Sequence, residues 1–230
     1  MSLKWAYGVT TVPERIDDLL PKTLASLKAA GFGSPRLFID GPSYGLPYGF
    51  SQLKVTERSE KVRTYGNWLL AIWELWLRDP DADRYAIFQD DFVTYRNLRQ
   101  YLNTVPYNPS GYWNLYTYPD NEGAPGWHLS NQLGWGAVGL VFSRQVLGLI
   151  LSTHHMWNRV SDPQRGWKSI DGAIIESAQK QKLVEFVHTP SLVQHTGHLS
   201  VSKNNQHPLA TSFMGEDYDA MEFLKCSATK

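Results

Sequence analysis

At 230 residues, with 22 basic and 22 acidic side chains, the chain has the size of one large domain and no net charge. That balance, without any basic run, excludes the electrostatic footprint of a nucleic-acid partner or of an anionic membrane surface. A single cysteine, Cys226, excludes an internal disulfide framework and a Cys-rich metal centre.

No apolar run approaches membrane-spanning length, so no transmembrane segment and a cytoplasmic location are expected. Nine Trp and twelve Tyr are more than core filling alone suggests. Some of these rings are expected to line a groove, where a flat apolar face packs against the C–H face of a sugar.

Trp5 to Val9 reads as a short strand, followed by the polar turn Thr10 to Arg15. Ile16, Leu19, Leu20, Leu24 and Leu27 recur at helical spacing until Gly31, with Pro21 predicting a kink or a restart. Arg36 to Asp40 is a second strand, and the Gly-, Pro- and Tyr-rich stretch from Gly41 to Phe50 a loop. Leu53 and Val55 suggest a third strand, and Trp68, Leu69, Ile72, Leu75 and Trp76 mark an amphipathic helix.

Tyr85-Ala86-Ile87-Phe88 is an unbroken apolar run of the kind buried on both faces of a sheet, and it breaks abruptly into Gln89-Asp90-Asp91. A helix from Arg96 to Leu102 and a strand from Tyr112 to Tyr116 follow. Thr117 to Gly134, rich in Gly, Pro and Asn, reads as one long loop of the kind that carries function. Ala137 to Phe142 is a strand, and Ser143 caps a helix running through Leu151. Ser169 is placed to cap a helix holding Asp171, Ile174, Ile175 and Ala178, and Val184 to Val187 is a last strand.

Strands alternating with helices predict an α/β fold, a doubly wound and mainly parallel mixed sheet flanked by helices. Ligands in such sheets bind beyond the carboxyl ends of the strands. Thr10 to Arg15, Asp40 and Asp90-Asp91 all fall at such ends. Two adjacent carboxylates leaving a buried strand are costly unless neutralised. Magnesium or manganese, which take oxygen ligands and bridge carboxylates to phosphates, would do so; the plain alternative is a solvated Asp-Asp turn.

The segment Gln89-Asp90-Asp91, with Val9-Thr10-Thr11, Arg15, Ser26-Leu27 and Gly31 before it, resembles the GT-A-fold glycosyltransferases. Their Asp-x-Asp or Glu-Asp-Asp element ends a central strand and holds a metal–nucleotide-sugar complex. Gly134-Trp135-Gly136-Ala137 is similar to the family's donor- and acceptor-facing segment. Pro190-Ser191-Leu192-Val193-Gln194-His195 resembles the closing stretch of some N-acetylglucosaminyltransferases. The likeness spans roughly Trp5 to Ser202, so residues 1–201 are expected to form a single GT-A-like catalytic domain. Residues 202–230 are expected to be a tail, partly ordered at best.

The resemblance implies a sugar transferred from a nucleotide-diphosphate sugar to an acceptor hydroxyl on a glycan or other molecule. It implies a manganese or magnesium ion held by Asp91, with Asp90 and a late His, His195 or His198. Gln89 departs from the Glu of the family element and removes a charge there. Thr10, Arg15, Asp40, Arg63, Asn67, Gln89, Asp90 and Gly136 are expected on the donor, and Trp135, Trp127 and Trp167 at the acceptor. Asp171, near a helix start, is the expected general base of an inverting transfer, with Glu176 and Asp162 as substitutes.

Plainer roles stand beside these: Arg15 as a surface residue at a helix start, Asp40 as a turn residue, and Asp171 as part of a helix cap. The competing function is a carbohydrate- or nucleotide-sugar-binding module without catalysis. A nucleotidyltransferase ranks last, because Thr10 to Arg15 holds no glycine or lysine for a phosphate loop.

Overall fold

A computed structural model of the chain describes residues 3–43, 50–154, 156–157, 170–196 and 208–227. One sheet organises it. The chain enters through β1 (Trp5–Thr11), and α1 (Leu19–Ala29) returns it to β2 (Arg36–Ile39) and β3 (Val55–Glu57). After α2 (Arg63–Arg78), β4 (Arg84–Gln89) inserts beside β1, and the short β5 (Phe92–Thr94) leaves the sheet. Next come α3 (Leu98–Thr104), β6 (Gly111–Asn114), β7 (Gly126–Leu129), β8 (Gly139–Ser143) and α4 (Arg144–Leu151). The last elements are α5 (Ile170–Lys180), β9 (Val184–Thr189), β10 (Val193–His195) and α6 (Glu222–Ser227).

The eight-stranded sheet has the order β3-β2-β1-β4-β8-β6-β9-β7, with β10 pairing β5 in a separate small ribbon. Only β8 and β7 run against the other six strands. This is the mainly parallel mixed sheet expected from the sequence, with helices on both faces. β4 lies between β1 and β8, which explains its unbroken apolar run. Tyr85 and Ile87 point into the core under α2, α4 and α5, while Ala86 and Phe88 point into the core under α1 and α3.

Several local expectations hold. Ser143 Oγ accepts the Val146 amide at 3.2 Å and starts α4. Gly31, at φ 92°, ends α1. There the Phe32 amide bonds Leu27 O and the Gly31 amide bonds Lys28 O, while Phe32 drops into the core.

Pro21 produces neither the kink nor the restart. It sits in the first turn of α1, where a missing N–H leaves no intrahelical bond unmade. The expected helix from Arg96 begins instead at Leu98, because Arg96 is engaged by the tail: its amide bonds Tyr218 O and its carbonyl accepts the Ala220 amide. The long loop from Thr117 to Gly134 contains the edge strand β7, antiparallel to β9. The tail, expected to be ordered in part at best, packs well between Pro208 and Lys225. Ala210 and Ala220 are buried, and Phe213 stacks on Tyr95 at 4.7 Å, with Tyr218 and Phe223 edge-on to the same ring.

Among the described residues, no helix is long and apolar enough to cross a membrane.

Candidate active site

β1 and β4 run side by side with Thr10 opposite Gln89, so the segments that follow them meet at one rim. Asp90 and Asp91 leave β4 there, both 3% exposed. Thr23, on α1, fixes the backbone of this corner: its one hydroxyl proton is shared between Asp90 O (2.8 Å) and Phe92 O (2.9 Å), and its oxygen accepts the Phe92 amide (3.2 Å). The pairing of β5 with β10 sets His195 opposite Phe92, and the Thr196 amide bonds Asp91 O at 2.7 Å.

The short turn Pro13–Arg15 swings Arg15 back over the rim. One nitrogen, Nη1, donates to Asp90 Oδ1 and to Asp91 Oδ2, each at 2.8 Å. Thr11 Oγ1 donates to Asp90 Oδ2 at 2.6 Å, and His195 Nε2 lies 3.2 Å from Asp91 Oδ2. Asp91 Oδ1 is buried with no hydrogen-bond partner among the described residues.

Burial works against the charge on Arg15, yet the two aspartates outweigh it and raise its pKa. Burial, and then the neighbouring Asp91, push the Asp90 pKa up against the pull of Arg15 and Thr11. For Asp91, burial is outweighed by His195 and then Arg15, and its pKa falls below the usual carboxylate range. The pair is thus held with unequal proton affinities, Asp91 being the firmer anion.

Gln89 reaches the other way. Its amide nitrogen donates to Ala137 O at 2.9 Å, and its backbone N–H bonds Val138 O at 2.9 Å. A Glu would set a carboxylate against that carbonyl, which gives the Gln a physical reason. The loop it grips is closely built. A Cβ on Gly134 (φ 68°) would lie 2.4 Å from Ile175 Cγ2, and one on Gly136 (φ 80°) 2.3 Å from the Tyr116 ring. Asn114 Nδ2 holds Trp135 O at 2.9 Å, and the Gly136 amide donates to Asp171 Oδ2 at 2.9 Å. Gln89, one residue before the pair, and Asp171, at the start of α5, therefore grip the same loop from opposite sides. Trp135 rests on Tyr118 at 4.3 Å above that loop, half-buried.

Other expected donor residues act as braces. Thr10 Oγ1 bonds Phe88 O at 3.2 Å. Asp40 Oδ1 accepts the Val62 amide at 2.7 Å, just before α2. Asn67 donates to Phe38 O at 2.9 Å and accepts from Arg58 Nε at 3.1 Å, and Arg58 pairs with Glu74. Arg63 opens α2 with φ 63°.

Trp127 is not brought to the pair. It stacks on Trp113 at 4.6 Å, on an edge strand four places from β4, roughly 19 Å away at the usual strand spacing. Trp167, Asp162, Ser169 and His198 lie outside the described residues. Sequence reasoning missed Thr11 and Thr23 as partners of the pair; each reads as an ordinary strand or helix Thr until β1, α1 and β4 are packed.

The donors suit magnesium or manganese in their chemistry: two hard carboxylates, one with an oxygen left unpartnered in the interior, and a nearby imidazole. They are not assembled around a common point. Among the described residues no group of three or more His, Cys, Asp or Glu is placed to hold a metal, and the Arg15 guanidinium bonds both carboxylates.

No protein-family profile and no curated protein matches the chain. Among solved structures it is similar to the galactosyltransferase LgtC in complex with donor and acceptor sugar analogs. The two are 11% identical, with a TM-score of 0.49, over 97% of this chain and 95% of that one. A likeness this distant says nothing of activity.

Proposed function

We propose that the protein is a glycosyltransferase moving a hexosyl or N-acetylhexosaminyl group from a nucleotide-diphosphate sugar to a hydroxyl of a glycan or other acceptor. One observation carries the proposal. Buried, charged groups at the carboxyl ends of β1 and β4 share the Gly134–Ala137 loop with a second carboxylate, Asp171. Ligand sites of doubly wound sheets lie at this rim.

In this mechanism the diphosphate lies over Arg15 and the aspartate pair, and the sugar extends toward Gly136 and Asp171. The Gly136 amide fixes Asp171 Oδ2. Oδ1 takes the proton of the acceptor hydroxyl while its oxygen attacks the anomeric carbon. The bond from that carbon to the diphosphate oxygen breaks in the same step, inverting the configuration. Trp135, with Tyr118 beneath it, offers an apolar face to the acceptor. Asp91, Asp90 and His195 are the residues that would hold manganese or magnesium, whose positive charge, when bound, supports the departing diphosphate.

The test is a panel of nucleotide-diphosphate sugars, with release of the nucleoside diphosphate as readout. Asp171→Asn is expected to keep donor-induced thermal stabilisation and lose about 10²- to 10⁴-fold in turnover. Donor binding without turnover in the wild type would point to the non-catalytic binding module instead. No response to any donor would end both readings.

A further inference from the structure

We infer that Arg15 and a divalent cation compete for the Asp90–Asp91 pair, so that the cation enters only as Arg15 is drawn away, and that the donor diphosphate draws it. The second half rests on the function proposed above; the first half does not.

The oxygen inventory carries the competition. Asp90 Oδ1 is taken by Arg15 and Oδ2 by Thr11. Asp91 Oδ2 is shared by Arg15 and His195, which leaves only Asp91 Oδ1 without a partner among the described residues. Magnesium and manganese require several oxygen ligands, so one is not a site. A guanidinium nitrogen at 2.8 Å from both carboxylates also repels a second cation in a pocket where water screens little. Released, Arg15 uncovers Asp90 Oδ1, which joins Asp91 Oδ1, and leaves Asp91 Oδ2 to His195 alone. Its side chain is 14% exposed and comes from the short turn between β1 and α1, so it is reachable from solvent. A diphosphate offers it charge-assisted hydrogen bonds at least as strong as those it leaves. The two ligands therefore bind with positive coupling, each removing the obstacle to the other.

The test measures bound manganese through loss of the free-ion electron paramagnetic resonance signal. Wild type, Arg15→Gln and Arg15→Lys are compared without nucleotide, and folding is checked by circular dichroism. Arg15→Gln is expected to bind manganese roughly 5- to 150-fold more tightly than wild type, while Arg15→Lys, which retains the positive charge, stays near wild type. If Arg15→Gln fails to fold, Arg15→Gln/Asp90→Asn removes one carboxylate charge with the guanidinium and is also expected to exceed wild type.

Wild type binding manganese as tightly as the glutamine variants would overturn the competition, and so would an equal gain in Arg15→Lys. UDP, GDP and CDP are then added to wild type, and one of them is expected to raise manganese affinity by a similar factor. If Arg15→Gln gains manganese but no nucleotide helps wild type, the competition stands and the donor reading falls. Tight manganese binding by nucleotide-free wild type sinks the competition and leaves the donor reading standing.

Discussion

Two of the places that bury acidic side chains deal with the charge in opposite ways. At the β4 rim, Asp90 and Asp91 are 3% exposed, and the charge is met by the Arg15 guanidinium. Under α5, Glu185 on β9 is 1% exposed, and its side-chain oxygen is met by neutral donors: the Tyr112 hydroxyl at 3.0 Å and the Asn114 amide at 3.2 Å. Burial lifts the Glu185 pKa, and hydrogen bonds from its neighbours offset only part of that. Burial among neutral donors raises the proton affinity of the acid under α5, whereas a cationic side chain meets the charge at the rim. The first site is closed by neutral donors; the second is where the competition inferred above would exchange one cation for another.

The contrast breaks most directly at Arg15. Removing one partner of a buried ion pair leaves uncompensated charge, so Arg15→Ala is expected to cost about 3–5 kcal/mol in urea unfolding. Arg15→Ala/Asp90→Asn/Asp91→Asn should recover most of that loss, because nothing charged remains stranded. A cost below about 1 kcal/mol for the single variant would mean that water reaches the pair and the comparison is false.

A buried base gives the next largest effect. His188 lies between Tyr101 Oη at 2.8 Å and Pro190 O at 2.7 Å, ringed by Tyr101, Trp127 and Phe223, and burial lowers its pKa to about 4. The unfolded chain binds this proton below about pH 6.5 and the folded one resists it. Stability should therefore fall as pH drops from 6.5 toward 4, by about 3 kcal/mol in total. In His188→Gln the same pH series should lose that much less. Parallel slopes for the two proteins would show that His188 takes up its proton in the fold without penalty.

The positions of the polar signals were legible in the sequence; most of their partners were not, although the resemblance set a late His beside Asp91. Asp90-Asp91, Asp40 and Thr10 to Arg15 read as strand ends, because apolar runs stop there, and Ser143 read as a cap by local spacing alone. Which groups meet depends on distant pairing. His195 reaches Asp91 through the β5–β10 ribbon, and Thr23 reaches the same corner from the buried side of α1. β7 was hidden because an edge strand of four residues opening on Gly126 has no alternation to show. Trp127 carried no sign that Trp113 would take its face, since a stack across the sheet leaves no trace in spacing. The packing within the tail left no trace in spacing for a similar reason: Phe213, Tyr218 and Phe223 converge on Tyr95 through turns, not through a helical period.

The smallest effect is the sharpest test of the contrast. Glu185→Gln replaces an acid whose proton affinity burial raises with an amide of nearly the same shape, keeping an oxygen for Tyr112 and Asn114. The folded pKa of Glu185 is raised, so the unfolded chain ionises first as pH climbs past about 4.5. Wild-type stability is then lost progressively until the folded group also ionises, at about 1.4 kcal/mol for each unit separating the two. The amide has no proton to lose. Near pH 4.5 the two proteins should unfold at nearly the same urea concentration, and by pH 8 the variant should be the more stable. The corresponding change at the rim, Asp91→Asn, should behave the other way, because Asp91 is already an anion in the fold and its loss leaves Arg15 with one carboxylate. A Glu185→Gln deficit that stays constant across the pH series would mean that Glu185 is ionised in place, and the two buried sites would then not differ in kind.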